Sequence, residues 1–308
     1  MKIVTPNQMR EIDRRSIEDL GIPGEELMER AGMAVAAAVE SLLPPDMTDP
    51  FVILLAGKGN NGGDALVAAR LLSEKGIRTL TFLLSEALAL KGAAALNLNR
   101  LTQAKSPLRE LVDDEEFASF QKILPDADLI VDGIFGTGFK GPARGMAAEV
   151  IKLVNQTVRA RLVSRVVAID IPSGLDGETG KVDGDAIQAD RTVTMGLPKT
   201  GMVRGDGLNY CGRIVAADIG FPPAVIDEVA ADLELITGSE LSGILPPRPR
   251  SSHKGDYGHL LVLAGSPGMT GAAALASLAA LRAGAGLVTL GIPKSLNPIL
   301  EEKCTEVM

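Results

Sequence analysis

Apolar positions along the chain change period several times, and each change marks an element. Thr5-Pro6 reads as an N-cap followed by proline at the first helical position, with Met9, Ile12 and Ile17 following at helical spacing. A second helix is predicted from Pro23-Gly24-Glu25 through LMERAGMAVAAAVESLL, stopped at Pro44-Pro45. FVILLAG (51–57) is a continuous apolar run, the pattern of a strand buried on both faces of a parallel sheet. A glycine loop, a helix through ALVAARLLSEKG and a strand at 77–84 come next, then helices near 87–102 and 114–123. Further strands are predicted at 128–136, 166–174, 191–198 and 212–220. This alternation predicts an α/β protein: a Rossmann-like, doubly wound three-layer sandwich with extra N-terminal helices and sites at the carboxyl ends of strands. Pattern alone leaves the strand order open.

Near residue 222 the alternation pauses. Residues 227–242 are polar and acidic, and PPRPRSSHKGDYG (246–258) is rich in Pro, Gly and charge. A fresh strand–helix–strand unit follows at 259–293. Two domains are therefore expected, 1–222 and 223–308, the second an incomplete α/β unit too small to close a core of its own. The 308-residue length suits that division.

Bulk properties remove several function classes. A net charge of −8 and aromatics at only 3% with no Trp argue against a nucleic-acid partner. The N-terminus lacks the apolar core of a signal peptide, and no stretch reaches the ~20 apolar residues of a membrane span. A cytoplasmic protein with no membrane partner is expected. Cys211 and Cys304 read as reduced thiols, and His253 and His259 are too few for His-rich metal chemistry. Met28, Met33, Val35 and Val39 give the second helix an apolar face for the core or, less favoured, for a homo-oligomer contact.

Chemistry is left to carboxylates, amides, hydroxyls and backbone dipoles, and four loops after strands carry them. In the first, Gly57, Gly59 and Gly62 fit G-x-G-x-x-G, and the helix N-terminus behind them offers N–H groups to phosphate. Asn60, Asn61, Gly63 and Asp64 crowd the same turn. The second runs from Asp132 to Gly141, with Asp132 inside an apolar strand. The third places Asp170 at a strand end and Ser173 three residues later; Asp176 reads as a turn former. The fourth holds Lys199, read as a solvated loop lysine. Asn61, Asp132 and Ser173 supply hard oxygen donors suited to an alkali or alkaline-earth cation. Asp170 is the acid/base candidate.

These loops, GKGNNGGDAL (57–66), VDGIFGTGFKGP (131–142), AIDIPSGLDGETG (168–180) and TMGLPKTG (194–201), resemble the YjeF N-terminal domain family of NAD(P)H-hydrate epimerases. The resemblance implies a small-molecule substrate, hydrated NADH or NADPH. It implies binding by Asn60, Asn61, Gly62, Gly63 and Asp64, by Gly136, Thr137, Gly138, Phe139, Lys140, Gly141 and Pro142, and by Asp170. It also implies potassium on Asn61, Asp132 and Ser173 and catalysis by Asp170. Ala65 stands where many relatives have glycine. Residues 253–276 and 280–291 are similar to the start of the YjeF C-terminal, ribokinase-like dehydratase domain that uses ADP or ATP, where Ala272 stands at a substrate-contact position. The later part of that domain, with its nucleotide loop and catalytic aspartate, is not in the sequence, so dehydration is not expected of this chain.

Two rival readings remain. An NAD(P)-dependent dehydrogenase would use the glycine turn with Glu86 on the ribose, yet no hydride-transfer His or Tyr/Lys pair is evident. A catalytically silent nucleotide-binding or scaffold module would have no use for Asp132, Asp170 and Ser173, which are costly to bury.

Overall fold

The computed structural model describes residues 1–160, 165–244 and 246–308. They divide into two compact units, Met1–Ile236 and Thr237–Met308.

In the first unit, β1 (Lys2–Ile3) leads into α1 (Pro6–Arg14), which opens as predicted with proline at its first turn. Thr5 Oγ1 accepts from the Gln8 amide (3.2 Å) and Gln8 Oε1 accepts from the Thr5 amide (2.7 Å), closing a capping box. α2 (Gly24–Glu40) buries Met28, Val35 and Val39 in the core and leaves Met33 exposed. The central strands are β2 (Phe51–Ala56), β3 (Arg78–Leu83), β4 (Leu108–Glu110), β5 (Leu129–Gly133), β6 (Arg165–Ile169), β7 (Arg191–Met195) and β8 (Arg213–Ala217). They form a seven-stranded parallel sheet in the order β4-β3-β2-β5-β6-β7-β8.

The continuous apolar run of β2 is needed because both of its faces are covered. Val52, Leu54 and Ala56 pack with α2 and with α3 (Asn60–Glu74). Phe51, Ile53 and Leu55 pack on the other face, with residues of α5 (Asp114–Ile123) and α6 (Gly145–Arg159). The expected helix near 87–102 is a short 3₁₀ turn, Ala87–Ala89, followed by α4 (Gly92–Gln103). The pattern reading places nothing at α6 or at the short edge strand β4; both are additions from the structure. Strand order reverses between β2 and β5, so their carboxyl ends diverge and open a crevice.

The first unit does not end at 222. β9 (Leu233–Glu234) pairs antiparallel with β1, and the Lys2 ammonium donates to the carbonyls of Ile226 (3.0 Å), Asp227 (2.8 Å) and Val229 (2.8 Å). Segment 223–236, expected as linker, thus packs with the sheet domain because a lysine at position 2 gathers its carbonyls.

The second unit holds β10 (His259–Leu263) and β11 (Leu287–Gly291), a parallel pair, with a helix Gly271–Ala283 between them. Its core is small: Ala273, Ala274, Leu296, Leu300 and Cys304. Leu260, Leu261 and Leu263 on β10 stay exposed, as expected where too little surface is available to cover them. Among the described residues no helix is long and apolar enough to cross a membrane.

Candidate active site

β2 delivers its chain into the turn at Gly57 and from there into the N-terminus of α3. The crossing is tight: a Cβ at Gly57 would sit 2.0 Å from the Ile134 carbonyl oxygen, and one at Gly62 would sit 1.7 Å from that of Gly57. Gly63 donates to the Gly59 carbonyl (3.0 Å), which leaves the amides of Asn60, Asn61 and Gly62 ahead of the intrahelical ladder. Gly59 caps without a side chain, so these donors and the positive end of the helix dipole stay available to an anion.

At the end of β5, Asp132 is fully buried. The Ser173 hydroxyl donates to its Oδ1 (2.6 Å) and the Ser173 amide to its Oδ2 (2.8 Å), while the Ile134 amide donates to Oδ1 (3.2 Å). Ser173 Oγ accepts from the Phe135 amide (2.9 Å), and the Asn61 amide group donates to the Phe135 carbonyl (2.7 Å). Asn61, Asp132 and Ser173, far apart in sequence, therefore meet around the 134–136 turn. Burial pushes the Asp132 carboxyl up to about 6, partly offset by the hydrogen bonds from Ser173 and Ile134. Among the described residues no cationic side chain pairs with it. A dry carboxylate with the Ser173 hydroxyl on it, and the Asn61 side chain on the same 134–136 turn, is a donor set of hard oxygens that fits an alkali cation, whose charge would compensate the burial.

Asp170 follows β6 in a three-residue γ-turn. Its φ is +63° and the Ile171 amide donates to the Ile169 carbonyl (2.7 Å). A non-glycine residue held there is strained, and such strain concentrates at functional sites. The turn aims the carboxyl at Lys199, with which it forms a buried ion pair. Lys199 is 0% exposed, so the expectation of a solvated loop lysine is overturned. The cause is local. The Val4 amide donates to the Pro198 carbonyl (2.9 Å) and the Thr200 amide to the Val4 carbonyl (2.8 Å). The N-terminal segment thereby straps the loop and turns the intervening lysine inward.

Two more carboxyls join. Asp64, on the first turns of α3, is raised well above the usual aspartate range, first by burial and then by the charges of Asp170 and Asp13. Asp13, from α1, is also raised, by burial and by Asp170. Asp13 went unnoticed in the sequence, although it shares the i, i+4 face of Met9 and Ile17, where a carboxylate is out of place on an apolar stripe.

These groups line a cavity of about 1260 Å³ at the carboxyl ends of β2 and β5, roofed by α1 and α2. Asn60, Asn61, Asp64, Gly136, Thr137, Gly138, Phe139, Lys140 and Asp170 all border it, with Asp13 and Lys199. Phe135 and Phe139 stack 4.5 Å apart at 19° on one wall. Gly62 and Gly63 do not border it; they serve the turn and the packing of α3, a Cβ on Gly63 meeting Met28 Sδ at 2.6 Å. Gly141 and Pro142 also lie off the lining, and Ala272 is exposed on the helix of the second unit. Glu86, the ribose ligand a dehydrogenase would need, is exposed and off the lining as well. Cys211 and Cys304 are unpaired and buried, and burial pushes the Cys211 thiol up to about 12.

The chain is similar to known proteins along its whole length. The chain is 41% identical over 308 residues to the bifunctional NAD(P)H-hydrate repair enzyme Nnr of Moorella thermoacetica and 37% identical over 308 residues to that of Thermofilum pendens. It spans 57% and 56% of those proteins, little more than half their length. The crystal structure of yeast ynu0 superposes with a TM-score of 0.61 at 25% identity, covering 78% of this chain and 98% of that one. The sequence profile described as YjeF-related protein N-terminus matches residues 24–201, more than half of the chain, and the protein belongs to that family.

Proposed function

We propose that the first unit interconverts the R and S forms of NADH or NADPH hydrated at C6 of the nicotinamide ring. The observation that carries this reading is the buried Asp170–Lys199 pair on the wall of a cavity of about 1260 Å³. That is more than a single small ring needs, since drug-sized ligands fill ~300–1,000 Å³, and it suits a dinucleotide. The named relatives are NAD(P)H-hydrate repair enzymes, which directs the choice of dinucleotide.

The chemistry follows from the ring. Its nitrogen lone pair expels the C6 hydroxyl once that oxygen is protonated, leaving a planar cation, and water then adds back to C6. Asp170 serves as acid/base at the oxygen. Lys199, whose ammonium also donates to Thr194 Oγ1 (2.9 Å) and the Met195 carbonyl (3.0 Å), fixes that carboxyl in place. The free amides of Asn60 and Asn61 receive the pyrophosphate, and the Phe135–Phe139 stack offers a flat wall to a ring. Potassium held by Asn61, Asp132 and Ser173 would supply fixed positive charge that keeps Asp132 ionised and the 134–136 turn in place. Buried unpaired thiols suit a cytoplasmic setting.

The 1–222 assignment as the epimerase domain extends to Ile236 on this reading, with the second unit as the opening part of an ADP- or ATP-dependent dehydratase domain in a longer relative. The test is chromatographic: pure R-epimer of hydrated NADH is incubated with the chain, with and without potassium, and the R/S ratio is followed. A rapid approach to equilibrium, slowed at least ~10²-fold in Asp170→Asn, is the expected result. Bound ligand with an unchanged ratio would reduce the protein to a binding module.

A further inference from the structure

The cavity has two ends, and the chemistry proposed above occupies only one. Asp170 and Lys199 stand in the loops after β6 and β7, where α1 also packs: a Cβ at Gly196 would meet Met9 Cε at 3.1 Å and one at Gly177 would meet Pro6 Cγ at 3.2 Å. The strand order puts β2 and β3 on the other side of the switch point, and the cavity reaches there as well, to Leu84, Ala89 and Ala93. With the ring at Asp170 and the pyrophosphate on the amides of Asn60 and Asn61, the adenosine half lies over this second end.

What that end offers to the adenosine ribose is set by β2 and β3. Ala56 pairs with Leu83, and the Leu84 amide donates to the Ala56 carbonyl (2.8 Å), so the register persists to the last residue of each strand. The two chains then leave the sheet side by side, and Lys58 and Ser85, each two residues further on, both border the cavity. A dinucleotide fold that takes the unphosphorylated cofactor carries a carboxylate after the second strand, which accepts from the ribose 2′-hydroxyl and repels a phosphate in its place. Here that position is Ser85, a neutral residue whose Oγ is buried without a hydrogen-bond partner among the described residues. The neighbouring Glu86 is exposed and off the lining.

Resting on the epimerase reading above, we propose that Lys58 recognises the 2′-phosphate of hydrated NADPH and gives this site a preference for the phosphorylated cofactor. The cationic side chains on the lining are Arg10, Arg14, Lys58, Lys140 and Lys199. Lys199 is bound to Asp170, Lys140 faces Glu178 at 3.6 Å, and Arg14 is held by Glu11, Glu18 and Asp19. Arg10 belongs to α1, over the opposite end, with Asn7 as its partner. Lys58 is exposed, and among the described residues it has neither a hydrogen bond nor an ion pair. An exposed lysine is ordinarily no more than a solvated charge. This one differs in bordering the cavity, in lacking a counter-ion, and in standing beside a strand end from which the phosphate-repelling carboxylate is missing. Its ammonium suits a phosphate as a mobile point charge. Because the 2′-phosphate is remote from C6, the contact holds substrate and transition state alike.

The experiment compares the two cofactors in one protein. Epimerisation of hydrated NADPH and of hydrated NADH is measured for wild type, Lys58→Gln and Lys58→Arg, beside fluorescence titrations with NADPH and NADH. Wild type should favour the NADPH form in both assays. Lys58→Gln should lower the NADPH-to-NADH ratio of kcat/KM about tenfold, through KM, and narrow the difference in Kd to match, while Lys58→Arg keeps most of the preference. The lysine is exposed, so the variants should fold, which a thermal melt checks. Equal losses with both cofactors would put Lys58 on the pyrophosphate and overturn the proposal. So would an unchanged ratio in Lys58→Gln, or a wild type without preference. The titrations keep the two readings apart: a Lys58-dependent preference for NADPH in a protein that inverts neither hydrate would retain the phosphate site and remove the epimerase.

Discussion

The Lys199 ammonium is sealed from solvent and bound to Asp170, with its remaining donors on Thr194 Oγ1 (2.9 Å) and the Met195 carbonyl (3.0 Å). All three N–H donors of a lysine are thus engaged, and the Asp170 carboxyl is held by a rigid partner. Removing one member of such a buried pair strands the other as an uncompensated charge, which costs about 3–5 kcal/mol. Lys199→Met should therefore lower stability by about that amount, read from urea unfolding, and slow epimerisation at least ~10²-fold. Lys199→Arg should not rescue, because a planar guanidinium cannot reproduce three converging donors from a point charge. Full activity in either variant would remove Lys199 from its positioning role.

Much of this arrangement was readable in the chain, for physical reasons that differ by residue. Asp132 and Asp170 stood out because a carboxylate ending an apolar strand has few cheap environments, and the structure finds both buried. The glycine turn was readable because strand, Gly-rich loop and helix follow one another directly. Lys199 was misread because its burial comes from Val4, nearly the whole sheet domain away in sequence, and loop composition carries no trace of that strap. Asp13 was missed because an acidic residue is ordinary on a helix that borders solvent, and only the roofing of the cavity by α1 makes it unusual. Helix α6 was passed over although Val150, Ile151 and Val154 keep its buried stripe, because the glycine-rich loop before it drew the reading toward chemistry.

Asp132 links stability to pH and, through the cation site proposed above, to potassium. Its folded pKa of about 6 lies above the ordinary aspartate value of 3.8, so the folded state holds a proton that the unfolded state gives up. Its contribution to stability is fully present below pH ~4 and is lost as pH rises through ~6, by about 3 kcal/mol in total without a cation. A bound cation favours the ionised form and reverses that loss. Thermal unfolding should therefore show potassium raising the Tm more at pH 7.5 than at pH 4. Asp132→Asn should abolish the difference. Equal potassium shifts at both pH values would sever the link.

The glycine turn offers a paired control. A Cβ at Gly62 would lie 1.7 Å from the Gly57 carbonyl oxygen, a backbone atom that cannot yield, whereas one at Gly138 would meet nothing within 4 Å. Gly62→Ala should cost more than ~3 kcal/mol or prevent folding, and Gly138→Ala should stay within about ±0.5 kcal/mol. Chemical denaturation of the two proteins checks both figures. Comparable losses would mean that the turn is not fixed by this contact.

The Phe135–Phe139 stack separates binding from chemistry. The rings lie 4.5 Å apart at 19° on the cavity wall, and Phe139 sits on the half-exposed loop after β5, away from the core around Phe82 and Phe120. Aromatic stacking contributes about 0.5–1.5 kcal/mol beyond area burial, equally to a ring in its ground state and in a flat, cationic transition state unless charge decides otherwise. If the wall only holds the dinucleotide, Phe139→Ala should raise KM about 2- to 10-fold and leave kcat unchanged, with no measurable change in Tm. A fall in kcat at constant KM would show that the ring faces the developing cation and steadies it by its π-face. Steady-state epimerisation kinetics with each hydrated cofactor, run beside a thermal melt, distinguish the two. The binding-only outcome is expected, because Phe139 lies on a half-exposed loop, where water screens a π-face and leaves it little to add to charge stabilisation.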